Sequence, residues 1–190
     1  MIMEKITKTE GNAGIDTMED IKTDTPAAAE EITNEASAPE TPADTPAAAV
    51  TITPWIHKVQ YYETDQMQVV HHSNFIRWFE ECRVHALDEI GYGYDKLEAA
   101  GIMSPVLSIE AKIKISVRFG ETVKIRAAIE KFDGIRLTLR YEVRRAGDDA
   151  VCCTGTTGHC FLGKDGRLIS LKRKYPDIYD TLCKFPTEFV

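Results

Sequence analysis

Nowhere in its 190 residues does the chain carry eighteen consecutive apolar residues, which leaves no candidate for a membrane-spanning helix. There is also no leader with a basic start and an apolar run. The five cysteines, Cys82, Cys152, Cys153, Cys160 and Cys183, are odd in number and form no Cys-x-x-Cys pair. They read as buried thiols of a cytoplasmic protein rather than a disulfide framework. Two histidines spaced as His-x-x-x-His are missing too, so Asp65, His71 and His72 are not expected to hold a metal, and no cofactor is called for.

Residues 1–52 contain no aromatic residue at all and are dominated by Ala, Pro, Thr, Glu and Asp, with a Thr-Pro-Ala-Ala-Ala run at Thr25 echoed at Thr45. Such a segment buries too little apolar surface to offset the entropy of ordering it, and it reads as a disordered tail ahead of one domain at 53–190. The tail holds eleven acids against three lysines, a balance of −8, whereas the whole chain carries −7. The remaining 20 basic and 19 acidic residues make the domain nearly neutral, which excludes the strongly basic surface of a nucleic-acid binder.

What the domain does have is a dense polar stretch from Tyr61 to Phe75, with two carboxylates and two imidazoles. A strand-like run at 56–62 precedes it and a helical pattern starts at Asn74, with Ser73 as the expected N-cap and Gly91 as the stop. Phe75, Trp78, Phe79, Cys82, Ala86, Leu87 and Ile90 recur at spacings of three and four, giving one broad apolar face. Glu80, Glu81, Arg83 and Asp88 are expected elsewhere on that helix's surface.

A helical turn at 94–100 leads to Pro105, after which residues alternate. Ile109, Ala111, Ile113, Ile115 and Val117 point one way; Val123 to Ile129 and Leu137 to Val143 repeat the pattern, and a last strand is expected at 150–162, with a helix near 177–183. One strand, one long helix and four further strands make an α+β domain, an antiparallel sheet whose apolar face wraps a central helix.

The run Tyr61-x-Glu63-Thr64-Asp65-x-x-x-Val69-Val70-x-His72-Ser73-Asn74-Phe75-x-x-Trp78-Phe79-Glu80-x-x-Arg83 resembles the hotdog-fold acyl-CoA thioesterases, in the 4-hydroxybenzoyl-CoA and Tol-Pal-associated branch. It departs from the family at Gln68, where Gly is usual, and at His71, where an aromatic is frequent. The resemblance implies a five-stranded hotdog sheet, pairing of protomers into a homodimer or homotetramer, and an acyl-CoA substrate. It also implies that Asp65 is the nucleophile or general base, and that the helix amides near His72, or the His72 side chain, polarise the thioester carbonyl. On local pattern alone Asp65 could equally hydrogen-bond a turn, and His72 could cap or pack a helix.

Around them, His71, Asn74 and Phe75 are candidate substrate contacts, with Lys112, Lys114, Arg118 and the Lys172-Arg173-Lys174 cluster available for the phosphates of coenzyme A. Phe75, Met103 and Ile109 are candidates for setting pocket depth, and Glu81 is the fallback carboxylate. Two other functions fit the same pattern: a hydroxyacyl-thioester dehydratase, which needs an acid/base pair across the acyl chain, and a non-enzymatic acyl-CoA-binding protein.

Overall fold

The structure, a computed structural model, describes residues 50–189; the expected tail, up to residue 49, lies outside them. In chain order the elements are β1 (Trp55–Lys58), α1 (His72–Glu89), α2 (Tyr94–Ala99), β2 (Val106–Ile113), β3 (Thr122–Phe132), β4 (Arg136–Arg145), β5 (Val151–Cys160), α3 (Leu171–Lys174) and α4 (Pro176–Cys183). The five strands form one sheet in the order β1-β3-β4-β5-β2, antiparallel throughout. This is the arrangement the sequence pattern and the resemblance imply.

The centre of the sheet follows the alternation closely. Val123, Ile125, Ala127 and Ile129 of β3 and Leu137, Leu139, Tyr141 and Val143 of β4 are all buried, as are Phe75, Trp78, Phe79, Cys82 and Ala86 of α1. The helix seats itself by stacking Phe79 on Tyr141, with ring centroids 4.6 Å apart. Gly155 of β5 makes this possible: a Cβ there would lie 2.4 Å from the Phe79 ring and 2.5 Å from the Glu110 carbonyl oxygen.

Several expectations are corrected. The first strand stops at Lys58, and Tyr61–Glu63 is a 3₁₀ turn, because the Glu63 side chain accepts from the Gln60 N–H and bends the chain there. Helix α1 begins at His72, two residues early, since His71 and not Ser73 caps it: His71 Nδ1 accepts from the Ser73 N–H at 3.3 Å. The helix ends as expected, with Gly91 at φ +83°.

Arg83 is not a surface residue. It is 6% exposed, and its Nε donates to the Tyr94 hydroxyl at 2.8 Å. Four cysteines are buried, but Cys183 is exposed.

Strand β2 ends at Ile113, and the burial expected of its alternating residues is absent within the protomer: Ile109 and Ile113 are 45% and 46% exposed. The strand lies at the sheet edge, paired only with β5.

The domain also begins earlier than residue 53. Val50 N–H donates to the Lys184 carbonyl at 3.0 Å, and Ile52 is only 8% exposed within the core. A chain starting at Thr53 should therefore be less stable than one starting at Val50 by about 2 kcal/mol, the worth of one buried isoleucine. Thermal unfolding of the two truncated chains checks this; equal Tm values would show that Ile52 contributes nothing to the fold.

Candidate active site

The chain from β1 to α1 folds into two linked turns. After the 3₁₀ turn, Thr64 and Val70 pair as an isolated antiparallel bridge, which closes a loop carrying Asp65. Asp65 N–H donates to Val69 O and Gln68 N–H to Asp65 O, both at 2.9 Å. Gln68 sits at φ +62°, completing a turn plus left-handed residue of the kind that favours glycine. The family's usual Gly at this position thus has a backbone reason, and Gln68 adopts the conformation all the same.

The Asp65 carboxylate does part of what a turn aspartate ordinarily does, since Oδ1 accepts from Met67 N–H at 2.8 Å. Its Oδ2 has no hydrogen-bond partner among the described residues. Asp65 is half-buried, with one carboxylate oxygen fixed and the other available.

Val70 N–H, donating to Val117 O at 2.8 Å, ties the loop to the segment before β3. The chain then enters α1. The exposed His71 and His72 rings lie 4.0 Å apart, centroid to centroid. The His72 N–H makes no hydrogen bond among the described residues, and it sits at the positive end of the helix dipole, where backbone donors suit an anionic oxygen.

Beneath this surface lies a buried polar core. Glu63 is 4% exposed; its Oε2 accepts from Gln60 N–H at 2.7 Å and faces His57 Nε2 at 2.9 Å. Its Oε1 accepts from the Trp78 indole at 2.8 Å. Burial pushes this carboxyl up, but the Gln60 amide, His57 and the indole together outweigh burial and hold it below the usual carboxylate range. The available signal was Trp78 itself, because a buried indole N–H needs an acceptor.

The expected site residues separate into two groups. Asp65, His71, His72, Asn74 and Phe75 belong to one continuous turn and helix start. Within it Asn74 and Phe75 act from below: Asn74 is buried and donates through Nδ2 to Glu63 O at 2.7 Å, while Phe75 is 1% exposed and packs edge-on against Trp78.

The cations lie on other elements, with Arg118 next to Val117, whose carbonyl holds the foot of the Asp65 loop. Lys112 pairs with Glu110 on β2 at 2.9 Å, Lys114 and Arg118 are exposed beyond it, and Lys172, Arg173 and Lys174 ride on α3. Met103 and Ile109 are exposed and Phe75 is in the core, so the three do not form a pocket within the protomer.

Glu81 turns towards β1, where Oε2 accepts from the Trp55 indole at 3.2 Å and lies 3.6 Å from His57 Nδ1. Burial pushes Cys82 up to about 12 and Cys153 to about 11, so neither thiol is poised as a nucleophile. His159, beside Cys160, is buried near the Arg83 charge and pushed down to about 4, so it is neutral at pH 7.

A family model described as the thioesterase-like superfamily matches residues 59–189. The chain belongs to that superfamily. A Bacillus subtilis protein provisionally named acyl-CoA thioesterase YneP is 30% identical over 122 residues, covering 63% of this chain and 87% of that protein. Among solved structures, the DHNA-CoA thioesterase of Staphylococcus aureus is 30% identical with a TM-score of 0.66, over 70% of this chain and 89% of that one. A Thermus thermophilus protein described as hypothetical is 34% identical with a TM-score of 0.63, over 69% and 97%. The chain is a thioester hydrolase with the five-stranded antiparallel hotdog architecture.

For this thioesterase-like chain, relaxing the left-handed turn should be favourable. Gln68→Gly should stabilise the fold by up to about 1 kcal/mol, the penalty an L-residue meets at positive φ less the entropy glycine loses on folding. A Tm equal to or below that of the natural chain would show the turn to be unstrained.

Proposed function

We propose that this chain hydrolyses acyl-CoA thioesters to the free acid and coenzyme A, within the 4-hydroxybenzoyl-CoA and Tol-Pal-associated branch, using Asp65. The observation that carries the reading is the Asp65 carboxylate, anchored through Oδ1 and open at Oδ2, on the turn that leads into the start of α1. The names of its relatives, an acyl-CoA thioesterase and a DHNA-CoA thioesterase, support coenzyme A as the carrier.

In the reaction, Asp65 either adds to the thioester carbonyl carbon or takes a proton from the water that adds. The carbonyl oxygen becomes an oxyanion and is met by the unpaired His72 N–H at the helix start. Collapse breaks the C–S bond, and coenzyme A leaves as a thiolate that is protonated. If an acyl-aspartate forms first, water hydrolyses it to release the acid and restore the carboxylate. A thiolate is already a good leaving group, so one carboxylate and one oxyanion donor suffice. His71 stands at the mouth of this turn, Asn74 and Phe75 support it, and Lys112, Lys114 and Arg118 are exposed cations that suit the phosphates of coenzyme A. The reducing, cytoplasmic setting expected from the cysteines belongs to the same proposal, and all five thiols are free.

The working unit we propose is a homodimer, or a homotetramer built from it. Strand β2 leaves one backbone edge unpaired, and Leu107, Ile109 and Ile113 stand exposed on it. A second copy pairing along that edge covers both the hydrogen-bonding groups and the isoleucines. Ile113→Lys should shift the protein to a monomer in light scattering; a stable natural monomer with full activity would overturn the dimer.

The central test is Asp65→Asn, which keeps the size and the bond to Met67 N–H but removes the nucleophile or base. Thiol release from a panel of aliphatic and aromatic acyl-CoAs should fall by about 10²–10⁴-fold in kcat. Turnover above about a tenth of the natural rate, a barrier change under roughly 1.4 kcal/mol, would remove Asp65 from the mechanism.

A further inference from the structure

Five hydrogen bonds are accepted by one residue, Glu63, and they come from every piece that frames the Asp65 turn. Its carboxylate faces His57 of β1 at 2.9 Å and accepts from Gln60 N–H at 2.7 Å and from the Trp78 indole of α1 at 2.8 Å. Its backbone carbonyl accepts from Asn74 Nδ2 at 2.7 Å and from His71 N–H at 2.9 Å. Asp65 follows two residues later, and His72 is next to one of the donors. Glu63 therefore joins the strand, the Asp65 turn, the N-cap and the first two turns of the helix.

We propose that Glu63 is a positioning residue for thioester hydrolysis: it fixes the Asp65 carboxylate relative to the amides at the start of α1. This rests on the reading of Asp65 and the His72 amide given above. In this role Glu63 acts through Asp65 and the helix amides and not on the substrate itself. It is 4% exposed and both of its carboxylate oxygens are already engaged, so it is spoken for as an acceptor and not available as a base.

The requirement is for an anion and not merely for a polar side chain. Donors reach both carboxylate oxygens: the Gln60 amide and His57 on Oε2, the Trp78 indole on Oε1. An amide in the same place accepts at one end only and turns an NH₂ group towards a buried N–H at the other. The loss is transmitted to geometry, because the Glu63 backbone carbonyl holds Asn74 and His71 and moves with its side chain. Reactions that depend on a carboxylate and an oxyanion donor lying in register are sensitive to small displacements; a shift of the order of 1 Å lowers rate by about 100-fold.

The test compares the natural chain, Glu63→Gln and Tyr141→Phe in thiol release from the best acyl-CoA, each assayed well below its Tm. Tyr141→Phe serves as a stability control: it removes a buried hydroxyl, 2.9 Å from Thr157 Oγ1, that makes no hydrogen bond to Glu63 or to the Asp65 turn. Glu63→Gln should lower kcat by about 10–100-fold with KM changed less than about threefold. Tyr141→Phe should lose stability with kcat and KM both kept within about twofold.

Where Glu63→Gln does not fold, His57→Leu carries the test, since it removes the Nε2 donor that faces the carboxylate; a selective fall in kcat supports the role and an unchanged kcat overturns it. An active natural chain beside a Glu63→Gln variant of unchanged kcat sinks the role alone, as does a Tyr141→Phe variant that loses kcat equally. A natural chain that releases no thiol from any acyl-CoA sinks the proposed reaction and the role with it.

Discussion

A carboxylate inside a protein has to be answered by donors, and around Glu63 that demand sets the shape of the whole N-terminal half of the domain. Desolvating the anion is unfavourable by several kcal/mol unless its lone pairs are used. The chain meets the demand by ending β1 at Lys58, wrapping a 3₁₀ turn so that Gln60 N–H faces back, and delivering the Trp78 indole from the second turn of α1. Because the folded-state pKa of Glu63 lies below its unfolded value, its contribution to stability is present above the ordinary carboxylate range. It disappears as pH falls through the lowered folded value. Acid therefore loosens the very segment that carries Asp65.

A second buried polar group sits further along α1 and follows a different rule. Arg83 has no carboxylate within ion-pair distance among the described residues; its Nε donates to the Tyr94 hydroxyl. Its charge adds to burial in keeping His159 neutral, and that imidazole takes its place beside Thr157, whose hydroxyl also meets Tyr141. Phenols and hydroxyls thus accommodate the guanidinium where an acid is missing. The same Tyr141 ring stacks on Phe79, so the polar cluster and the seating of the helix on the sheet share one side chain.

Much of this was legible in the sequence wherever one partner decides the fate of a residue. The alternation in β3 and β4 predicted burial correctly because the face opposite those residues is α1 of the same chain. The stop at Gly91 was legible because a left-handed C-terminal residue selects glycine. Three readings failed for a common reason, namely that periodicity reports which way a side chain points and not what waits there. Arg83 points inward to a tyrosine, the run through Tyr61 and Tyr62 alternates like a strand but is bent by Glu63, and His71 displaces Ser73 as cap through a ring nitrogen. The motif puts Asp65 and His72 within one short stretch, whereas the importance of Glu63 is not legible there, since it lies in donors supplied from 57, 60, 71, 74 and 78.

Strand β2 is where chain and protomer part company. Its alternation is as regular as that of β3, yet its isoleucines remain exposed, because their positions lie at the edge where the protomer has no further element to offer. Isoleucines at 109, 113 and 115 are what the proposed second copy would cover, since exposed edge strands ordinarily carry charge or proline instead. Lys112 and Lys114 intervene only on the alternate face, so they leave the apolar stripe intact while placing positive charge along the same edge. The segment running on from β2 ends at Val117, whose carbonyl holds Val70 at the foot of the Asp65 loop. A second copy paired along β2, as proposed, would therefore bond to a strand only a few residues from that anchor, and ordering the edge would also order the ground on which the Asp65 turn stands.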